Sequence, residues 1–319
     1  MRELSYSEFK SECGPFDQAV ASSRQIARFC SASCWQLAAN DYLNGADSTA
    51  RYRIAEEAGN WICFADLKGR GIWFPLESAW MFGSPLIGDP EEVVDLLRRV
   101  SANHSRPSGY CIGGVQDKSQ LGSAISSLGR MALQHDVFPA TDCMIIDLGS
   151  GYESWLSRRS KKFRKTVRVC ESIEDGVVIE EASEAAPDIL LERILNVQRE
   201  SYKWREGNDI FQMPEYEQFY RSLIERLRES ERLRILFAKQ EDQDVGYILG
   251  GDFAGSYRGL QMSYADSVRS SSIGNRLQLE NIKRCVQAGL AIYDLGMHAE
   301  YKERWADRTV NYRAHFLVL

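Results

Sequence analysis

Three strand-like runs joined by two very short polar links constrain the fold of this 319-residue chain more than any other feature. The runs are LRILFAK (233–239), VGYILGGDF (245–253) and YRGLQMSY (257–264), with Glu241-Asp242-Gln243-Asp244 and Ala254-Gly255-Ser256 between them. Links this short reverse the chain and force antiparallel neighbours. Upstream, Tyr216, Phe219, Tyr220, Leu223, Ile224 and Leu227 recur at the spacing of an amphipathic helix. Before it come a strand at Val177–Ala182 and a helix at Asp188–Trp204. After the hairpins the pattern predicts a helix over Gly274–Ala288, a strand AIYDLG (291–296) and a last strand RAHFLVL (313–319). Three antiparallel strands feeding a helix and then another strand make a mixed sheet with helices on both faces.

The first half is less sharply patterned. Helices are expected near Asp17–Ala39, Asp89–Asn103 and Gln120–His135, and strands at WICFADL (61–67), GIWFPL (71–76) and GYCIGGV (109–115), with a hairpin turn at Lys68-Gly69-Arg70. CMIIDL (143–148) ends at Gly149-Ser150-Gly151, a punctuated boundary. The expected organisation is therefore 1–148 and 149–319, the first a worn copy of the second. The fold class is α/β, with mixed, mostly antiparallel sheets flanked by helices.

Composition removes several function classes. A net charge of −6 gives no overall attraction to nucleic acid or membranes. The first residues, MRELSYSEFKSECG, lack the apolar core of a signal peptide, and no apolar run is long enough to span a bilayer. A cytoplasmic setting follows as the expectation. The eight cysteines are scattered, with only Cys30 and Cys34 close, and the four histidines are far apart, so buried free thiols are expected and no metal site.

The tail GNRLQLENIKRCVQAGLAIYDLGMHAEYKERWADR (274–308) has a Gly opening a helix, a strand ending Asp-Leu-Gly, and Tyr-Lys with Trp three positions later. It resembles the GNAT superfamily of acyltransferases, in the subgroup that contains the Fem-type aminoacyltransferases. Trp155–Cys170 resembles that subgroup's basic Lys-Phe-Arg helix, Glu200-Ser201-Tyr202-Lys203 its Ser-Trp-Lys segment, and FPLESAWMFGSPLIG (74–88) the stretch before the first domain's helix. The resemblance implies two tandem GNAT-like domains.

It also points to chemistry. GNAT enzymes that use coenzyme A resemble Arg-x-x-Gly-x-Gly after the third hairpin strand, where N–H groups at a helix N-terminus hold the pyrophosphate. Here Arg269, Ser271, Ser272, Gly274 and Asn275 occupy that stretch, with Ser272 in place of the middle glycine. A plain capped turn is the competing reading. The resemblance places Lys302 at the reacting carbonyl, where a cation stabilises the developing oxyanion. Asp294 could draw a proton from the incoming amine if burial raised its pKa, Tyr293 or Tyr264 could protonate a leaving group, Tyr301 beside Lys302 is a further catalytic candidate, and His298 has a suitable intrinsic pKa for a base. Trp305 either packs or borders an acceptor. Arg159, Lys162, Arg164 and Lys165 on the basic helix, with Lys203, are candidates for binding substrate or a tRNA backbone, against the reading of a solvated face.

These readings give an N-acyltransferase with acyl-CoA as donor substrate, no tightly bound cofactor and a small-molecule amine as acceptor. The alternatives are an aminoacyl-tRNA-dependent transferase with tRNA as partner, and a binding module that has lost catalysis.

Overall fold

The computed structural model describes residues 1–44, 49–104, 107–130 and 132–319, and its chain divides into two compact units. One comprises Met1–Asp142 with Val310–Leu319, the other Cys143–Thr309.

In the second unit the three runs form strands Leu233–Gln240, Gln243–Phe253 and Ser256–Tyr264, paired antiparallel in that order. The second reversal places Ala254 and Gly255 at φ 48° and 74°. Two successive left-handed residues match the twist of the flanking strands. Val177–Glu181 adds antiparallel at one edge. On the other side Ile292–Met297 lies parallel to Ser256–Tyr264, and helix Ile273–Gln287 supplies the crossover that a parallel pair requires. The Cys143–Asp147 end of the strand Gln134–Asp147 pairs antiparallel with Ile292–Met297 and completes this sheet. Helix Ile273–Gln287 buries Leu279, Ile282 and Cys285 with Trp155, Phe163, Tyr257 and Tyr293, and its first turn buries Ile273 and Leu277 against Leu236 and Ile248.

Two helices expected to be continuous are broken. The one from Asp188 ends at Arg199, where Ser201 Oγ donates to the Gln198 carbonyl at 2.7 Å and caps a separate turn, Tyr202–Arg205. The basic stretch splits into Tyr152–Ser157 and Lys161–Glu171, with Ser160 as the N-cap of the second. Serine competes well for such sites because its hydroxyl satisfies a free N–H. The tail also divides differently from the expected 149–319 boundary. Its strand begins at Arg308, and the Val310–Leu319 part belongs to the first unit.

The first unit repeats the same succession of strand directions. Arg51–Glu57, Asn60–Asp66 and Ile72–Pro75 are antiparallel neighbours, Gly109–Gln116 lies parallel to Ile72–Pro75, and the C-terminal strand closes the sheet antiparallel to Gly109–Gln116. Helix Pro90–Asn103, capped by Asp89, makes the crossover. The helical stretch expected at Asp17–Ala39 is three pieces, Cys13–Ser22, Arg28–Ser31 and Ser33–Tyr42. Leu67–Gly69 forms a 3-10 turn at the expected reversal. The helix from Gln120 ends at Gly129, so His135 lies on a strand, its Nε2 3.1 Å from His315 Nδ1. All eight cysteines are thiols rather than disulfides, seven buried and Cys13 half-buried.

Candidate active site

The parallel pair in the second unit is short. Its register covers only Ser256↔Ile292, Tyr257↔Tyr293 and Arg258↔Asp294, although the two strands continue to Tyr264 and Met297. The last pair is locked by an ion pair, with Arg258 Nη1 2.6 Å from Asp294 Oδ2 and 3.1 Å from Cys143 Sγ. Asp294 Oδ1 also accepts from the Gly296 N–H at 2.8 Å. Beyond this point the strands part.

A cavity of about 410 Å³ opens there. Met262, Ser263 and Tyr264 line it from one strand and Leu295 from the other. Arg269, Ser272, Ile273, Gly274, Asn275 and Gln278 come from the following turn and helix, Tyr202 and Lys203 from the short capped turn, and Tyr301, Arg304 and Trp305 from the tail. Among the described residues no Asp or Glu lines it, while Lys203, Arg269 and Arg304 do.

The Arg269–Asn275 segment is the candidate anion cradle. Ser272 takes the left-handed conformation, φ 54° and ψ 30°, at the start of the helix. A serine is thus held where glycine is the favoured residue. The N–H groups of Ile273, Gly274 and Asn275 fall in the first helical turn, which has no internal acceptors. Gly274 owes its identity to close approach: a Cβ there would sit 3.2 Å from Tyr264 Cε1. Arg304 donates to Asn275 Oδ1 at 2.9 Å and brings a cation beside that turn. Ser271 faces elsewhere, bonding Asp175, whose carboxylate takes both contacts at 2.9 Å from Arg276 Nη1.

Of the two candidate lysines, Lys203 lines the cavity, while Lys302, on the tail turn Glu300–Glu303, is not among the residues that line it. Lys203 Nζ donates to the Met262 carbonyl at 3.0 Å, and Lys302 Nζ to the Met297 carbonyl at 2.8 Å. Burial lowers the pKa of Lys203, partly offset by Asp209. Burial and then Arg258 lower that of Lys302 to about 8, partly offset by Asp294. Each ammonium is held in a medium that disfavours its charge.

The remaining candidates separate. Tyr264 and Tyr301 line the cavity, but Asp294 is committed to Arg258 and the Gly296 N–H, and His298 pairs with Glu303 at 2.9 Å with its side chain half exposed. Trp305 is buried, stacked on Trp155 with ring centroids 6.0 Å apart, and reaches the cavity only as part of one wall. On the basic helix Arg159 is structural: it donates to the Trp305 carbonyl at 3.0 Å and to the Ala306 carbonyl at 2.5 Å and pairs with Asp307. Arg164 caps the preceding helix, bonding the Ser157 carbonyl at 2.8 Å. Lys162 and Lys165 are exposed, as are Lys161 and Arg168. Sequence reasoning missed Arg304, Tyr202 and Gln278. Arg304 lay in plain view between Lys302 and Trp305, but its direction depends on how the tail turn folds.

Residues 157–303 match the family model for the acetyltransferase (GNAT) domain. No curated protein matches the sequence. The crystal structure of FemX superposes with a TM-score of 0.69 over all of this chain and 98% of that one, at 13% identity. A C-terminal domain from Agrobacterium fabrum, described as that of a lysylphosphatidylglycerol synthetase, gives 0.57 over 94% and 90% at 13% identity. A tandem GNAT protein from the clavulanic acid biosynthesis pathway gives 0.51 over 98% and 96% at 11% identity. The domain match identifies residues 157–303 as a GNAT acyltransferase domain. Within that class the chain carries the tandem fold of the Fem type. No helix among the described residues is long and apolar enough to cross a membrane.

Proposed function

We propose that the chain transfers an acyl group from an acyl-coenzyme A to the amine of a small-molecule acceptor, directly and within a ternary complex. The observation that carries this reading is the cavity at the parting strands, which joins a candidate anion cradle to Lys203, with Lys302 on the neighbouring tail turn. Ile273, Gly274 and Asn275 offer N–H groups at a helix N-terminus, and Arg269 and Arg304 add charge, which suits the donor's pyrophosphate.

In the proposed reaction the acceptor nitrogen attacks the thioester carbonyl and the Lys302 ammonium stabilises the oxyanion that forms. Collapse of the tetrahedral species expels the thiolate, which takes a proton from Tyr264 or Tyr301, and the proton that the nitrogen sheds on becoming an amide restores that phenol. The acceptor must arrive unprotonated. With Asp294 and His298 engaged elsewhere, the field of Lys203, Lys302 and Arg258 does this work by lowering the pKa of any ammonium brought near it.

A second reading, transfer from aminoacyl-tRNA, is favoured by the whole-chain likeness to FemX and by exposed Lys161, Lys162, Lys165 and Arg168 on one helix. That helix flanks the cradle, since the Cys170 thiol lies within hydrogen-bond reach of Ser272 and Asn275. Calorimetric titration tests the preferred donor. Coenzyme A binding is expected in the wild type and should weaken tenfold or more when Arg269 and Arg304 are both changed to Gln. Binding unaffected by the double change would remove the cradle from the account.

A further inference from the structure

The cavity is uniform in sign, and its charge divides in two. Arg269 and Arg304 stand with the first turn of helix Ile273–Gln287, whereas Lys203 stands by Met262 on the strand. Phosphates held at the first group leave the second with only the partial offset of Asp209. Lys203 spends one N–H on the Met262 carbonyl, and an ammonium has three. The Tyr202 and Tyr264 hydroxyls share this end with Tyr301, whose own ionisation is disfavoured by burial and by those two neighbours. Three phenols and one ammonium therefore line this end of the cavity, and among the described residues no Asp or Glu lines it with them.

We propose that this end of the cavity, Lys203 with Tyr202, Tyr264 and Tyr301, selects a donor whose acyl group itself carries a carboxylate and rejects one that carries a cation. The inference rests on the coenzyme A reading above and deepens it. The acyl group is the relevant source of the carboxylate because Lys203 and the cradle line one cavity, so a donor anchored at the cradle delivers its acyl end to the lysine. A carboxylate there gains charge-assisted hydrogen bonds and relieves the desolvated ammonium, while an ammonium-bearing acyl group would face Lys203 in a cavity that, among the described residues, no Asp or Glu lines.

Three thioesters of matched length test this: succinyl-, butyryl- and β-alanyl-coenzyme A, which end in an anion, a methyl group and a cation. Affinity for the intact protein is expected to fall in that order, with succinyl bound about tenfold or more tighter than butyryl. In Lys203→Gln the gap between succinyl and butyryl should shrink to about threefold or less, since the charge is gone and the amide remains. Equal wild-type affinity for succinyl and butyryl thioesters overturns the inference while leaving the donor reading standing. A gap that survives in Lys203→Gln overturns the assignment to this lysine. Failure of all three to bind overturns the donor reading and the inference with it. If the variant does not fold, the wild-type order alone decides.

Discussion

Lys203 and Lys302, each on a short helical turn, bond the two strands that diverge beyond Arg258 and Asp294, one at the Met262 carbonyl and the other at the Met297 carbonyl. Their chemical roles differ. Lys203 lines the cavity, whereas Lys302 stands nearer the ion pair, close to Gly296, where a Cβ would lie 3.7 Å from its amine and 3.8 Å from Arg258 Cζ. The glycine leaves room for two cations to share one side of the opening.

If Lys302 stabilises the oxyanion, it must be protonated. Its pKa is lowered to about 8, so the ammonium is present below that value and lost above it. The turnover number should fall as pH rises through about 8, and Lys302→Arg should extend activity to higher pH. Lys302→Ala should lower kcat by about 10²–10³ with a smaller change in acceptor binding. Steady-state kinetics across pH 6–10 would check this, and a flat profile with an unchanged rate would return Lys302 to a structural role.

Ser272 is the residue that departs from the coenzyme A pattern, and the structure shows the cost. A left-handed serine is disfavoured by about 1 kcal/mol relative to glycine. Ser272→Gly should therefore raise stability by about that amount in a denaturant titration and leave coenzyme A affinity the same or slightly higher. A loss of stability would mean that the serine hydroxyl's contact with Cys170 outweighs the backbone term.

In the first unit, His315 is buried beside His135, and burial together with that neighbour lowers its pKa to about 4. Unfolded, the ring titrates near 6.5, so between pH 4 and 6.5 the unfolded chain binds more protons than the folded one. The neutral ring's contribution is complete above pH 6.5 and declines as pH falls through this window, by up to about 3 kcal/mol. His315→Gln should flatten that part of the pH–stability curve. An unchanged slope would assign the acid sensitivity to other groups.

Much of the second unit was legible because its signals are local. Short polar links fix antiparallel pairing, and a 3.6-residue apolar rhythm fixes helix faces. What escaped was the breaks, where Ser160 and Ser201 cap new turns inside runs that read as continuous helices. These breaks matter for the site: Ser201 starts the turn that presents Lys203, and the break at Ser160 leaves Arg159 bonded to the tail carbonyls. The hairpin at Ala58-Gly59 was also missed, since its first left-handed position holds an alanine. Charge was the least legible property. The basic run looked like one feature, but it divides into half-buried Arg159, which anchors the tail, and exposed lysines.

The donor is the central claim, and donor affinity measured against salt tests it most directly. The comparison needs coenzyme A and bulk aminoacylated tRNA, the wild type, an Arg269→Gln/Arg304→Gln variant, and a variant with Lys161, Lys162, Lys165 and Arg168 all changed to Gln. The account predicts coenzyme A binding that weakens tenfold or more in the arginine variant, stays within about twofold in the basic-helix variant, and has a shallow salt dependence. Tight binding of charged tRNA with a steep salt slope, collapsing only in the basic-helix variant, would contradict it, because each phosphate contact along an extended backbone releases counterions.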